Sequence, residues 1–143
     1  ILDFSHNAFI YVENTTKSSY FSLSKLVELV DRYPFAGLCF DEEHAYASGQ
    51  NTIINYDKKV INTGFLFSLL GRPLIVHLNT IPKDVNFGSR VDRHSATTIF
   101  DSKAESWIYL DVAQVLSYYG VPMIRELKDD FVRSEMGDLR KIM

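Results

Sequence analysis

Apolar residues follow two rhythms along this chain. Short unbroken runs, Ile1-Leu2, Phe35 to Phe40 and Pro73 to Leu78, read as buried strands. Between the first two, Leu23, Leu26, Val27, Val30 and Tyr33 recur at helical spacing behind Ser22 and Ser24, whose hydroxyls can cap, and Pro34 closes the segment. A second helical face runs through Ile108, Val112, Val115, Leu116 and Tyr119 and stops at Gly120, with Ser102 ahead of it. Val60, Ile61, Phe65, Leu66, Phe67, Leu69 and Leu70 predict a helix over 58–70, buried on several sides and ended by Gly71. Thr52 to Ile54, Ala96 to Phe100 and Val121 to Ile124 read as short strands, while Ala8 to Val12 fits a strand or a helix start. Glu42 to Asn51 is read as an irregular polar segment, and Ile81 to Ser95, with Pro82 and Gly88, as a long mobile loop. The tail from Lys128 is charged, with near-helical apolar spacing that Gly137 weakens. Strands alternating with helices predict an α/β fold over residues 1–143: a three-layer domain with a mostly parallel central sheet flanked by helices.

Composition narrows the classes. A chain of 143 residues suits one domain able to bury a sizeable core without staples. Lone Cys39, inside an apolar run, makes no internal disulfide and reads as a small buried hydrophobe, which favours a cytoplasmic setting. No apolar stretch approaches the ~18 residues of a membrane span. A net charge of -3 gives no general basic field, so nucleic-acid binding needs a local patch. The chain opens on Ile1 and not Met, so it is expected to have lost its initiator or to be an excised piece.

Two apolar runs end in a carboxylate, the first at Asp3 and the second at Asp41. As neighbouring parallel strands they would bring both acids to the carboxyl edge of the sheet, where α/β folds place ligands. Such a pair repels unless a cation or a shared proton joins it, which points to a divalent-metal site with Asp3 and Asp41 as its catalytic acids.

The segment Ile1 to Phe9, an apolar lead into Asp3 and a small polar residue, resembles the opening strand of the PIN-like and flap-endonuclease-type 5′ nucleases. Leu38-Cys39-Phe40-Asp41 is similar to that family's second acidic strand end, Tyr56-Asp57-Lys58-Lys59 to its basic segment, and Gly120 to Ile124 with Glu126, Asp129 and Asp130 to its Gly-Ile-Pro strand and acidic cluster. The resemblance implies Mg²⁺ or Mn²⁺ held by Asp3, Asp41, Asp129 and Asp130, phosphates met by Lys58 and Lys59, and hydrolysis of nucleic-acid phosphodiesters. That family carries a further strand with paired aspartates, where this chain has only Asp138, so its acidic site is incomplete.

His6, His44, His77 and His94 lack the paired spacing of a zinc motif. Asp41-Glu42-Glu43-His44, the densest acidic cluster, could bind metal by itself but reads first as a solvated turn after a strand, and Asp92-Arg93-His94-Ser95 could supply a base and phosphate-binding hydroxyls but reads first as a polar loop. Glycine-rich phosphate loops of the P-loop and dinucleotide kinds are absent. Three classes stay open: a metal-dependent nuclease, a noncatalytic α/β interaction or regulatory protein binding a protein partner through aromatics such as Tyr46, Tyr56 and Tyr118, and a small-molecule or nucleotide binder at the strand edge.

Overall fold

A computed structural model describes residues 9–16, 22–93, 102–126, 133, 135–137 and 140. In chain order its elements are β1 (Ile10–Glu13), α1 (Leu23–Arg32), β2 (Ala36–Asp41), α2 (Glu42–Ala47), β3 (Ile54–Asn55), β4 (Val60–Ile61), α3 (Thr63–Leu69), β5 (Leu74–His77), α4 (Ser106–Tyr118) and β6 (Met123–Ile124). Strands β1, β2, β5 and β6 form one parallel sheet in that order, and β3 and β4 form a separate antiparallel hairpin. The α/β class and the mostly parallel, helix-flanked sheet are as expected. The expected strand at 96–100 and the strand ending at Asp3 lie outside the described residues.

Side chains alternate across a strand, so parallel register sorts the sheet residues into two faces. Leu38 and Phe40 of β2 and Leu74 and Val76 of β5 join Leu23, Leu26 and Val30 of α1, Leu66 and Leu69 of α3, and Ile108, Val112 and Leu116 of α4 in one core. Each such side chain contributes roughly 1.5–3 kcal/mol before the entropy of ordering is subtracted. The residues of opposite parity are Tyr11 and Glu13, then Gly37, Cys39 and Asp41, then Ile75 and His77, then Ile124, aligned by the pairs Glu13 with Cys39, Asp41 with His77, and His77 with Ile124. This second face carries the polar strand ends.

Several elements differ from expectation for local reasons. The helix expected over 58–70 starts only at Thr63, because Lys59 takes a left-handed φ of 52° in the turn before it and Val60-Ile61 pair with Ile54-Asn55. Asn62 then caps α3, its side-chain oxygen accepting from the Phe65 N–H. At α1 the Leu23 N–H donates to Gln50 Oε1, while Ser22 shares its hydroxyl with Ser24 at 3.0 Å and makes no side-chain cap. The polar segment 42–51 opens as a helix, α2, without an intervening loop. Residues 81–93 are tied down: Gly88 N–H donates to the Tyr46 carbonyl at 3.0 Å, Arg90 N–H to the Ala47 carbonyl at 2.7 Å, and Ile81 and Val85 are buried with Ala47. Among the described residues no helix is long and apolar enough to cross a membrane.

Gly37 is required by packing. A Cβ there would lie 2.6 Å from the Tyr11 ring and 3.2 Å from Pro73 Cβ. Gly37→Ala is therefore expected to lower unfolding free energy by about 1–2 kcal/mol in urea titration. Adding Tyr11→Ala, which removes the nearer obstacle, should return at least half of that loss, and a strictly additive pair would contradict this packing.

Candidate metal centre

Each strand of the parallel sheet ends in, or runs directly into, a residue with a ligating side chain: Glu13 closes β1, Asp41 closes β2, His77 closes β5, and Glu126 follows β6 by two residues. Because register and alternation put all four on one face, one ligand atom from each lies within 4.8 Å of every other. His77 Nδ1 is the centre of the group, 3.4 Å from Glu13 Oε1, 3.5 Å from Asp41 Oδ2 and 3.4 Å from Glu126 Oε2. That nitrogen is buried and no hydrogen bond reaches it. Three carboxylates facing a single imidazole make an arrangement that a divalent cation would neutralise.

Two asparagines, both nearly inaccessible, hold the strand ends in place. Asn14 bridges β1 to β2 by accepting from the Asp41 N–H at 2.7 Å and donating to the Asp41 carbonyl at 2.9 Å. Asn79 spans β2 and β6, donating to Asp41 Oδ2 at 2.9 Å and to Glu126 Oε2 at 3.3 Å while accepting from the Glu126 N–H at 3.0 Å. Asp41 is fully buried, and its other oxygen accepts from the His44 N–H at 2.8 Å, capping α2. Its orientation is thereby fixed from three sides.

The segment 41–44, expected to be a solvated turn, is buried throughout. The strand passes into α2 with no loop, so successive side chains leave in different directions. Glu42 accepts from the Ile53 N–H at 2.8 Å, the Ile54 N–H at 3.0 Å and the Tyr56 hydroxyl at 3.0 Å, anchoring the β3–β4 hairpin. Burial pushes its carboxyl up to about 7 despite those three donors. Glu43 accepts from the Arg93 N–H at 3.0 Å and holds the end of the 81–93 segment. His44 Nδ1 donates to the Asn14 carbonyl at 2.8 Å, since a carbonyl only accepts, and its Nε2 lies 3.3 Å from Asp92 Oδ2. Arg93 instead pairs with Asp84 at 3.2 Å.

Electrostatics in this cluster favours protonated histidine when no cation is bound. Burial works against charge on His44, but the bond to Glu13, the charge of Asp41, the Asn14 carbonyl and the charge of Asp92 outweigh it and raise the pKa to about 9. His77 is raised chiefly by Asp41, against burial, with Glu126 and Glu13 adding to the shift. Cys39 sits within reach of Glu13 and His77, and burial followed by the charges of Glu13, Asp41 and Glu126 pushes its thiol up to about 12. Both effects disfavour its thiolate.

Of the acids expected from sequence, Asp41 lies in the cluster, whereas Asp3, Asp129 and Asp130 lie outside the described residues. Lys59 pairs with Glu105 at 2.9 Å, so its charge is already engaged. Lys58 stands in the adjacent turn, its N–H donating to Asn55 Oδ1 at 3.0 Å. Glu13, Asn14 and Asn79 escaped the sequence reading, which set His44 and His77 aside for want of a paired zinc spacing and placed His44 in a solvated turn. The rule that pointed to Asp41, an apolar strand ending in a ligating side chain, also describes Ile10-Tyr11-Val12-Glu13 and Leu74-Ile75-Val76-His77.

No protein-family model matches the chain. It is 29% identical over 150 residues to a protein named probable endonuclease 4 from Buchnera aphidicola subsp. Acyrthosiphon pisum (strain Tuc7), covering 94% of this chain and 52% of that protein. It is 30% identical over 130 residues to one of the same name from Phocaeicola vulgatus, covering 86% of this chain and 43% of the relative. The chain thus spans about half the length of these relatives. The crystal structure of AsfvAP:AG shares the fold, with a TM-score of 0.64 at 21% identity over 93% of this chain and 52% of that one. The likeness supports a nuclease-like class, with relatives named endonuclease 4 in place of the PIN-like group that the sequence resembled.

Two outcomes test this framework. Asn14→Ala leaves the buried Asp41 N–H and carbonyl unpaired and should cost about 2–4 kcal/mol in denaturant unfolding; a loss under ~1 kcal/mol would contradict its bridging role. Because the His44 pKa is raised in the folded state, its stabilisation is fully present below its ordinary value near 6.5 and disappears as pH climbs through about 9. The melting-temperature difference between metal-free wild type and His44→Gln should therefore shrink over that interval. A constant difference would contradict the charge on His44.

Proposed function

We propose that Glu13, Asp41, His77 and Glu126 hold a divalent cation and that this edge of the sheet hydrolyses phosphodiester bonds of nucleic acid. The observation that carries the reading is the convergence of three carboxylate oxygens on the buried His77 Nδ1, which no hydrogen bond reaches. Relatives named endonuclease 4 support the choice of reaction. A nitrogen donor among the oxygens favours Mn²⁺ or Zn²⁺ over Mg²⁺, which prefers an all-oxygen shell and keeps its waters. Such a cation, when bound, lowers the pKa of water and stabilises charge on phosphoryl oxygens.

The chain's own residues divide the remaining work. Asp41 is fixed by Asn79 and by the first turn of α2, so it keeps its position whether or not a cation is present. Glu13 and Glu126 are the more accessible acids, with side chains 34% and 39% exposed, and so mark the side from which substrate enters. His44 Nδ1 is bonded to the Asn14 carbonyl and its Nε2 faces Asp92, so this ring would hold the Asn14 and Asp92 segments beside the cluster. A cluster of acids repels a phosphate backbone, so substrate binding as well as cleavage depends on the cation.

Calorimetric titration with Mn²⁺ should show saturable binding, weakened on the order of tenfold or more in Asp41→Asn. Affinity should rise with pH across neutrality, because the cation displaces the proton that Asp41, Glu126 and Glu13 keep on His77. Single-stranded and duplex oligonucleotides should be cut in Mn²⁺ or Zn²⁺, spared in EDTA, and spared by Asp41→Asn. Intact oligonucleotides at saturating Mn²⁺ and Zn²⁺ would overturn the assignment.

A further inference from the structure

Cys39 lies on the polar face of the sheet. Leu38 and Phe40 on either side of it belong to the hydrophobic core, whereas Cys39 shares the face of Asp41 and stands in register with Glu13 of β1. Cys39 and His77 are each only 8% exposed, and Glu13, Cys39 and His77 offer three ligand atoms that all lie within 4.8 Å of one another. Metal-to-ligand bonds of roughly 2.0–2.3 Å let one ion reach all three with little movement. A second observation points to a cation at this place: the His77 Nδ1, 3.4 Å from Glu13 Oε1, is buried and no hydrogen bond reaches it.

The trio differs in kind from the four-residue cluster. Asp41 and Glu126 offer hard oxygens, while the Cys39 sulfur is soft and prefers polarisable cations to Mn²⁺. Charge separates the two sets as well. A divalent ion against the Cys39 thiolate, the Glu13 carboxylate and a neutral His77 ring is balanced, whereas three carboxylates leave one negative charge over. Burial and the neighbouring acids keep Cys39 as a thiol in the metal-free protein, and a bound cation reverses that preference. The S–H bond breaks, its electron pair forms the sulfur–metal bond, and the proton passes to solvent.

We propose that Glu13, Cys39 and His77 form a second, softer cation site overlapping the first, and that a thiophilic divalent ion seated there shuts out the ion held by Glu13, Asp41, His77 and Glu126. The His77 Nδ1 has a single lone pair to give, so it serves one ion at a time. The inference rests on the metal-centre reading above and adds its regulation: thiophilic ions inhibit the site where harder ions activate it.

The chain has one cysteine, so any sulfur-to-metal signal reports Cys39 alone. Cd²⁺ titrated into the metal-free full chain should give an ultraviolet sulfur-to-cadmium charge-transfer band that saturates at an equimolar ratio, and the loaded protein should no longer bind Mn²⁺ in the calorimeter. Cys39→Ala should abolish the band and weaken Cd²⁺ on the order of tenfold or more, while changing Mn²⁺ affinity less than about twofold. A wild-type chain that shows no band at saturating Cd²⁺ would overturn the site whatever the variant does. So would Mn²⁺ affinity that falls in step with Cd²⁺ affinity in Cys39→Ala, or Mn²⁺ that binds undiminished to the Cd²⁺-loaded protein. Failure of the nuclease reading is distinct: the band and the competition between the two ions would persist while oligonucleotides stayed intact in Mn²⁺.

Discussion

Everything at the carboxyl edge depends on holding like charges together in a place with little water. Asp41 is fully buried and shares the neighbourhood of His77 with Glu13 and Glu126. Such proximity is costly unless each oxygen has a donor or a cation. Asn14 and Asn79 answer the structural half of that problem, bridging β1 to β2 and β2 to β6 through bonds of 2.7–3.3 Å. His44 and His77 face the same carboxylates, whose charges favour the protonated form of both rings.

The strand-to-helix junction distributes this constraint through the molecule. With no loop between β2 and α2, four consecutive side chains leave the backbone in four directions: Asp41 to the cluster, Glu42 to the β3–β4 hairpin, Glu43 to the Arg93 backbone, and His44 to Asn14 and Asp92. This run of three acids and a histidine thus positions Asp41 in the cluster, the β3–β4 hairpin and the segment bearing Asp92. Its donors explain why these buried acids are tolerated: Asp41 accepts from the His44 N–H and Asn79, Glu42 from the Ile53 and Ile54 N–H groups and the Tyr56 hydroxyl, and Glu43 from the Arg93 N–H.

The α/β class was legible because helical and strand rhythms are clean in Leu23 to Val30, in Ile108 to Leu116 and in the apolar run before Asp41. Sequence reading failed where a local conformation decided the outcome. Nothing in the apolar pattern of 58–70 reports the left-handed Lys59 that interrupts it, although Asn62 ahead of Thr63 is a capping signal in hindsight. Asp41 was found because its strand is long and wholly apolar. Glu13 and His77 were missed because β1 is half exposed and ambiguous in pattern, and because lone histidines carry no spacing signal until register sets them beside acids from other strands. The densest acidic run was misread for the same reason: its donors come from residues 53, 54, 56, 79 and 93, which only the fold brings near.

The central claim is spatial, so the most direct measurement is spatial as well. Crystals of the protein grown with Mn²⁺ and recorded for anomalous scattering should show a peak enclosed by Glu13, Asp41, His77 and Glu126, with the His77 Nδ1 turned toward it. An anomalous map with no density among those four side chains at saturating Mn²⁺, or with the ion bound elsewhere while His77 stays protonated against Asp41, would contradict the account.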